Sequence, residues 1–387
     1  MTSVEFIGMI GTQEVSEIHP AAGPVVDRDT VRRFVSAHEE GGFDKVLVGH
    51  SSSTPDGLQV AAYGAAHSER LGFLVAHRPG FTAPTLAARQ YATLDHFSGG
   101  GRVAMHVISG GSDVDQRRDG DWLDKEQRYA RTDEYLDVVR RSWYEPEAFD
   151  HEGEQYHVAG VQQEIRPLSS RIPIYFGGSS EAAFRVGGKH ADVFALWGEP
   201  LAETAEQIGR VHAAAKNAGR TELPRISVSF RPVLGATEEQ AWERAHAIRD
   251  AIVAAKGGHG SFTGTRMRES WGTAAGGAGG VGERSGPTNV GSQRLLAAAE
   301  KGEVHDRCLW TATAAASGAA GNSTALVGTP ETVAQAMLDY VDIGVSTLLI
   351  RGYDPISDAT AYGRDLLPLV RAEVARRSRH SSQKVSA

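Results

Sequence analysis

Cysteine is almost missing from this chain. Cys308 is the only one in 387 residues, so no internal disulfide can form and a reducing compartment is expected. Positive charge is in deficit, with 40 Lys and Arg against 48 Asp and Glu and a formal net charge of −8, which disfavours non-specific binding to nucleic acid. No run approaches the ~18 apolar residues of a membrane span. The opening MTSVEFIGMIG has no basic stretch ahead of a long apolar one, so no signal peptide is expected and the protein is placed in the cytoplasm. Catalytic signatures are scarce too. There is no H-E-x-x-H spacing for zinc and no G-x-S-x-G nucleophile elbow, and Cys308, in CLWTATAAASG, reads as a packing residue. No metal is expected. With neither metal nor internal nucleophile, difficult chemistry would have to come from a bound organic cofactor.

What is present is a rhythm. Hydrophobic residues make up 41% and charged residues 23%, the balance of a globular protein with a substantial core. Short apolar runs alternate with longer amphipathic segments. Strands are expected at 4–10, 45–50, 72–77, 102–109, 174–177, 192–197, 226–234 and 346–350, and helices at 29–42, 57–70, 84–97, 126–143, 181–189, 201–218, 238–256, 330–343 and 358–377. The strands alternate little between apolar and polar, as parallel strands covered by helices do. Eight such units predict a (β/α)8 barrel, the TIM barrel, as a single domain over 1–378, with a flexible polar tail at 379–387. Two stretches interrupt the pattern. Residues 144–167 read as a small hairpin insertion. Residues 257–328 include GTAAGGAGGVGERSGP, which cannot hold a regular element, and are read as a mobile lid near the catalytic face.

In such barrels chemistry sits at the C-terminal ends of the strands. The polar residues at these exits are His19, His50 to Asp56, His77-Arg78, His106, Ser109, Gly177 to Ser180, Trp197 to Glu199, and Arg351 to Asp354. Ser229 and Arg231, two apart on a strand, share a face. The stretch IYFGGSSEAA, Ile174 to Ala183, runs from strand to glycine-serine turn to helix. Glycine lets backbone N–H groups approach a ligand, serine caps the helix, and the helix start favours an anion.

Several stretches carry a resemblance: LVAHRPGFTAPTLAARQYATLDHFSGGGRVAMHVISGGSD, DKEQRYARTDEYLDVVRR, IPIYFGGSSEAA, ALWGEP and GNSTALVGTPETVAQAMLDYVDIGVSTLLIRGYDP. In order, and covering most of the chain from Val4 to Val370, they resemble the bacterial luciferase-like flavin-dependent monooxygenases, most closely the alkanesulfonate and methanesulfonate branch. The resemblance implies reduced FMN delivered by a separate NAD(P)H-dependent reductase, dioxygen as co-substrate, and a homodimer or homotetramer; the negative charge and the lack of a long apolar run leave no nucleic-acid or membrane partner expected. It implies that Gly177, Gly178, Ser179 and Ser180 cradle the FMN phosphate, with Tyr129 near it and Arg128 assisting. The ring would lie near Ala76, His77, His106, Ser109 and Trp197. Thr54 stands where the family often has a cysteine close to the reactive flavin edge, and Tyr353 of RGYDP matches an active-site tyrosine. The chain also departs from the branch. Ser229 and Arg231 stand where the alkanesulfonate enzymes carry arginine and histidine, and a lid arginine has no counterpart, with Ser317 to Asn322 in its region. An alkanesulfonate held by Arg231, giving aldehyde and sulfite, fits this frame. A sulfone or another small organic substrate, a deazaflavin-dependent oxidoreductase, a non-catalytic flavin-binding protein, and chemistry on the flavin itself are the alternatives.

Overall fold

All eight expected barrel strands form in the computed structural model, which describes residues 3–257, 287, 289–319, 321 and 323–385. In chain order the strands are β1 Glu5–Ile10, β2 Lys45–Val48, β3 Gly72–His77, β4 Val103–Val107, β5 Phe149–Glu152, β6 His157–Val161, β7 Ile174–Gly177, β8 Val193–Trp197, β9 Arg225–Leu234, β10 Val304–His305, β11 Leu309–Trp310, β12 Ala325–Gly328 and β13 Val345–Ile350. The order β13-β1-β2-β3-β4-β7-β8-β9 closes because β9 pairs with both β8 and β13, and every pairing around the ring is parallel. This is a (β/α)8 barrel. Between β4 and β7, β5 and β6 form the antiparallel hairpin expected at 144–167.

Side-chain alternation decides what faces the barrel axis. On β1, Glu5, Ile7 and Met9 point inward at three successive levels. Ile7 packs at mid-height with Leu74, Ala104, Tyr175 and Val193, joined by Leu47 and Leu349. Phe6, Val46, Val48, Phe73 and Val75 point outward into the larger core beneath the helices. At the lower level Glu5 accepts hydrogen bonds from the Tyr175 hydroxyl at 2.6 Å and the Thr347 hydroxyl at 3.0 Å, and pairs with Lys45. The upper level opens as a cavity.

Strand β9 is longer than its neighbours, and this corrects the reading of residues 257–328 as irregular. Ile226 to Phe230 pair with β13, but Arg231 to Leu234 leave the barrel and pair in parallel with β12. Strands β11 and β10 extend that ledge antiparallel. Helices Val290–Lys301 and Ala312–Ser317 lie in the same region. Leu309 and Trp310 are buried there, which explains why these residues are ordered. Within the 257–328 stretch read as a lid, residues 258–286, 288, 320 and 322, which include most of the glycine-rich run, fall outside the described residues.

The last helix also differs from expectation. It starts at Pro355, passes through one π-helical turn at Tyr362–Leu366 and continues as Leu367–Val385, so the expected tail is helical as far as Val385. At the π turn Gly363 sits against Gly41, where an added Cβ would lie 2.2 Å from the Gly41 Cα. Among the described residues, no helix is long and apolar enough to cross a membrane.

Candidate active site

The upper level of inward-facing residues lines a cavity of about 1530 Å3, its open mouth included. Its wall follows the strand alternation: Met9, Leu47 and Gly49, Leu74 and Ala76, His106, Tyr175 and Gly177, Ala195 and Trp197, Ser227 and Ser229, then Leu349 and Arg351. The floor is apolar, and the polar groups gather at two ends.

The first end is the turn after β7. Gly178 has φ +147°, and a Cβ there would come within 2.6 Å of the Ala183 Cβ and 3.2 Å of the Tyr129 hydroxyl. Only glycine fits this backbone in this space. Ser180 caps helix Glu181–His190 by accepting from the Ala183 N–H at 3.2 Å, while Ser179 and Ser180 both border the cavity. Tyr129 reaches the turn from helix Lys125–Tyr144, and burial pushes its phenol up. Lys125, the first residue of that helix, lines the same corner; burial, with Arg128 nearby, lowers its pKa. Backbone N–H groups, hydroxyls, a helix start and an ammonium converge, which is the donor set for a phosphate.

Next to it, the loop after β4 presents Ser109, Gly110 and Gly111. Arg128 holds this loop instead of reaching the cavity. It donates to the Ser109 carbonyl at 3.1 Å, the Leu123 carbonyl at 2.6 Å and Asp113 at 2.7 Å. Its guanidinium, expected to assist at the phosphate, is placed on this loop and does not border the cavity.

On the middle wall, His106 stands beside Ala76 in register. Its Nδ1 is buried without a partner among the described residues, and burial holds its pKa at about 4, so the ring is neutral near pH 7. His50 also faces the cavity, its Nε2 unpartnered among the described residues, and burial followed by Arg78 lowers its pKa. Arg78 itself pairs with Asp115. Trp197 forms the opposite flank, with Gly291 so close that a Cβ would meet the indole at 2.7 Å.

The second polar end is ionic. Glu17, from the long loop after β1, sits between two guanidinium groups: Arg231 Nη1 at 2.6 Å and Arg351 Nη2 at 3.1 Å. Burial pushes the Glu17 carboxyl up, but Arg231 and Arg351 overcome this and hold it at about 2. Arg231 also donates to the Gly352 carbonyl at 2.9 Å and lies 3.6 Å over the Tyr353 ring.

Nine expected cofactor residues therefore border one cavity: Ala76, His106, Ser109, Tyr129, Gly177, Gly178, Ser179, Ser180 and Trp197. The four expected catalytic residues do not line it, for separate physical reasons. His77 follows Ala76, so alternation turns it outward; it shares a 2.6 Å hydrogen bond with the Tyr135 hydroxyl, and burial holds its pKa at about 3. Thr54 is exposed, and its hydroxyl closes its own turn by accepting from the Ser51 N–H at 2.9 Å. Arg231 lies on the part of β9 that has left the barrel, where it meets Glu17, the Gly352 carbonyl and the Tyr353 ring. Tyr353 is buried beneath that guanidinium. Sequence reasoning did not name Met9 or Lys125, and it collected Arg351 only as a polar residue at a strand exit, without a role. Counting inward positions, Glu5-Ile7-Met9 and Thr347-Leu349-Arg351, is the signal that finds two of them.

Comparison with known proteins agrees with this architecture. The family profile described as luciferase-like monooxygenase matches residues 4–347. A riboflavin lyase, solved with modified FMN and riboflavin, is 20% identical with a TM-score of 0.75, covering 96% of this chain and 92% of its own. EDTA monooxygenase from Chelativorans sp. BNC1 is 17% identical with a TM-score of 0.73, covering 96% and 94%. A long-chain alkane monooxygenase is 18% identical with a TM-score of 0.71, covering 98% and 92%.

Proposed function

The chain belongs to the luciferase-like monooxygenase family, and on that premise we propose that it is a two-component enzyme that takes reduced FMN from a separate NAD(P)H-dependent reductase and oxidises a small organosulfur compound. An alkanesulfonate, released as aldehyde and sulfite, is the substrate this reading names. The observation that carries it is the turn at Gly177 to Ser180, where a Cβ would fill the space left at Gly178 and Tyr129 and Lys125 stand beside the hydroxyls. These residues fit a phosphorylated cofactor. FMN in its reduced form supplies the electrons that activate dioxygen.

The chain's own residues do the rest. The turn fixes the phosphate, and each charge-assisted hydrogen bond there contributes about 1.5–3 kcal/mol. Leu47, Leu74 and Leu349 make the floor apolar and would keep water from the groups that react there. His106, neutral, adds no charge at the wall. Trp197 offers an aromatic flank. The unpaired thiol of Cys308, buried and pushed up to about 12, suits a reducing cytoplasm.

The test couples a generic FMN reductase, NADH and air to the protein and follows sulfite from a panel of alkanesulfonates and sulfones. Sulfite release from an alkanesulfonate supports the proposal. Consumption of reduced FMN without any oxidised product, or turnover only with a reduced deazaflavin under nitrogen, overturns it.

A further inference from the structure

Arg351 is the inward-facing residue at the end of β13, and it has donors to spare. Its Nη2 meets Glu17 at 3.1 Å, its Nη1 meets only the Met9 sulfur at 3.6 Å, and its Nε has no partner among the described residues. A guanidinium carries five N–H groups in a planar fork. Here one strong acceptor serves two guanidiniums. Arg231 lies closer to the carboxylate, as an ion pair at 2.6 Å; it donates to the Gly352 carbonyl and packs on the Tyr353 ring face, and its Nε, like that of Arg351, has no partner among the described residues, but Arg231 does not border the cavity. Two cations and one carboxylate leave a net charge of +1, and of the three only Arg351 borders the cavity. The crowding registers on Arg351, whose pKa burial and the neighbouring Arg231 bring down to about 10. It remains charged near pH 7. An uncompensated cation is expensive to keep out of water, and an incoming anion relieves that cost. The phosphate turn lies three strands away around the ring, from β7 to β13, so a second anionic group can bind at Arg351 without displacing the first.

We propose that Arg351, with its charge set by the Arg231–Glu17 pair behind it, is the residue that selects a substrate with an anionic oxygen head group, sulfonate or carboxylate, over a neutral one. Glu17 is the attenuator: it leaves one positive charge at the mouth instead of two. The assignment moves the anion contact from Arg231 to Arg351. It rests on the flavin-site reading only in placing the substrate in the same cavity.

The full-length protein loaded with FMN is titrated calorimetrically with ethanesulfonate, propionate and neutral diethyl sulfone, with thermal melts confirming that each variant is folded. Arg351→Gln lowers affinity for the preferred anion about tenfold or more, with FMN and diethyl sulfone affinities unchanged. Glu17→Gln raises anion affinity several-fold, because the attenuating charge is gone. In the wild type, raising chloride weakens the anion and not the sulfone, a readout that needs no variant. Preference for propionate or for ethanesulfonate supports the proposal and fixes the head group. Failure of the wild type to bind either anion overturns it. So does an equal loss of anion and sulfone in Arg351→Gln, or a fall in anion affinity in folded Glu17→Gln, as a merely structural triad requires. If FMN does not bind, the functional reading falls separately, and the same anion titration on flavin-free protein still judges the triad.

Discussion

Two carboxylates mark the floor and the mouth of the barrel, and their surroundings differ. Glu5 at the floor has one close cation, Lys45, and two hydroxyl donors, Tyr175 and Thr347; Arg225 stands half exposed at 4.0 Å. Burial alone would push Glu5 up, yet Lys45 and the hydrogen bonds bring it below its ordinary value. Arg225 faces water, which screens it, so the buried charges there are Glu5 and Lys45 alone, and they cancel away from the cavity. Glu17 at the mouth has two cations and a cavity beside it. A buried ion pair whose charges cancel closes the barrel, whereas one left over-charged next to a cavity is poised for a counter-ion.

The sharpest way to break this contrast is at the floor. Lys45→Met strands Glu5 with its hydroxyl partners, and unfolding in urea is expected to show a loss of about 3–5 kcal/mol, while FMN and anion affinities of the folded protein stay within about twofold, well under the factor of ten that corresponds to 1.4 kcal/mol. A parallel loss of binding would mean floor and mouth are one unit. Acid titration comes next. The folded pKa of Glu17, about 2 against an ordinary 4.5, is depressed, so its stabilisation is fully present above 4.5 and is lost as pH falls through 2. It amounts to about 3 kcal/mol or slightly more. Glu17→Gln should flatten that part of the stability-against-pH curve; an unaltered curve would show that the two arginines do not hold the carboxylate.

A third effect belongs to three buried histidines, one on helix Arg28–Glu40 and two on strands β3 and β4. His38, His77 and His106 have folded pKa values near 4, 3 and 4 against an ordinary 6.5, because burial disfavours their charged forms. The unfolded chain takes up these protons first, so stability declines as pH drops below 6.5. Each histidine contributes about 1.4 kcal/mol per pH unit. His77→Gln should remove one such share from the slope between about pH 6 and 4, read from chemical denaturation at each pH. The smallest effect concerns Thr54→Ala, which removes only an exposed turn hydroxyl. Turnover is expected within twofold of wild type and stability within about 0.5 kcal/mol. A large loss of kcat would restore Thr54 to the site.

The histidines also show how far the sequence carries. His77 and His106 both stand at strand exits, and both read as site candidates. Ala76 pairs with His106 across β3 and β4, and His77 pairs with Val107, so one residue of offset sends His106 into the cavity and His77 into the helix layer. Strand runs and turn chemistry made the barrel and the phosphate cradle legible, because those signals are local: apolar runs, Gly177-Gly178, a serine cap. The ionic triad was not legible. Glu17 and Arg231 lie 214 positions apart, taking their numbers from the chain, and nothing local indicates that they meet. The ledge of β10 to β12 was hidden because its strands are short, and its place is set by the overhang of β9.

The most direct measurement of the central claim compares two ligands that differ by one phosphate. Reduced FMN and reduced riboflavin are titrated under nitrogen against the wild type and against Gly178→Val. The account predicts that FMN binds about 100-fold or more tightly than riboflavin, as two or more charge-assisted hydrogen bonds require, and that Gly178→Val erases the difference. Equal affinities for the two ligands in the wild type would contradict it.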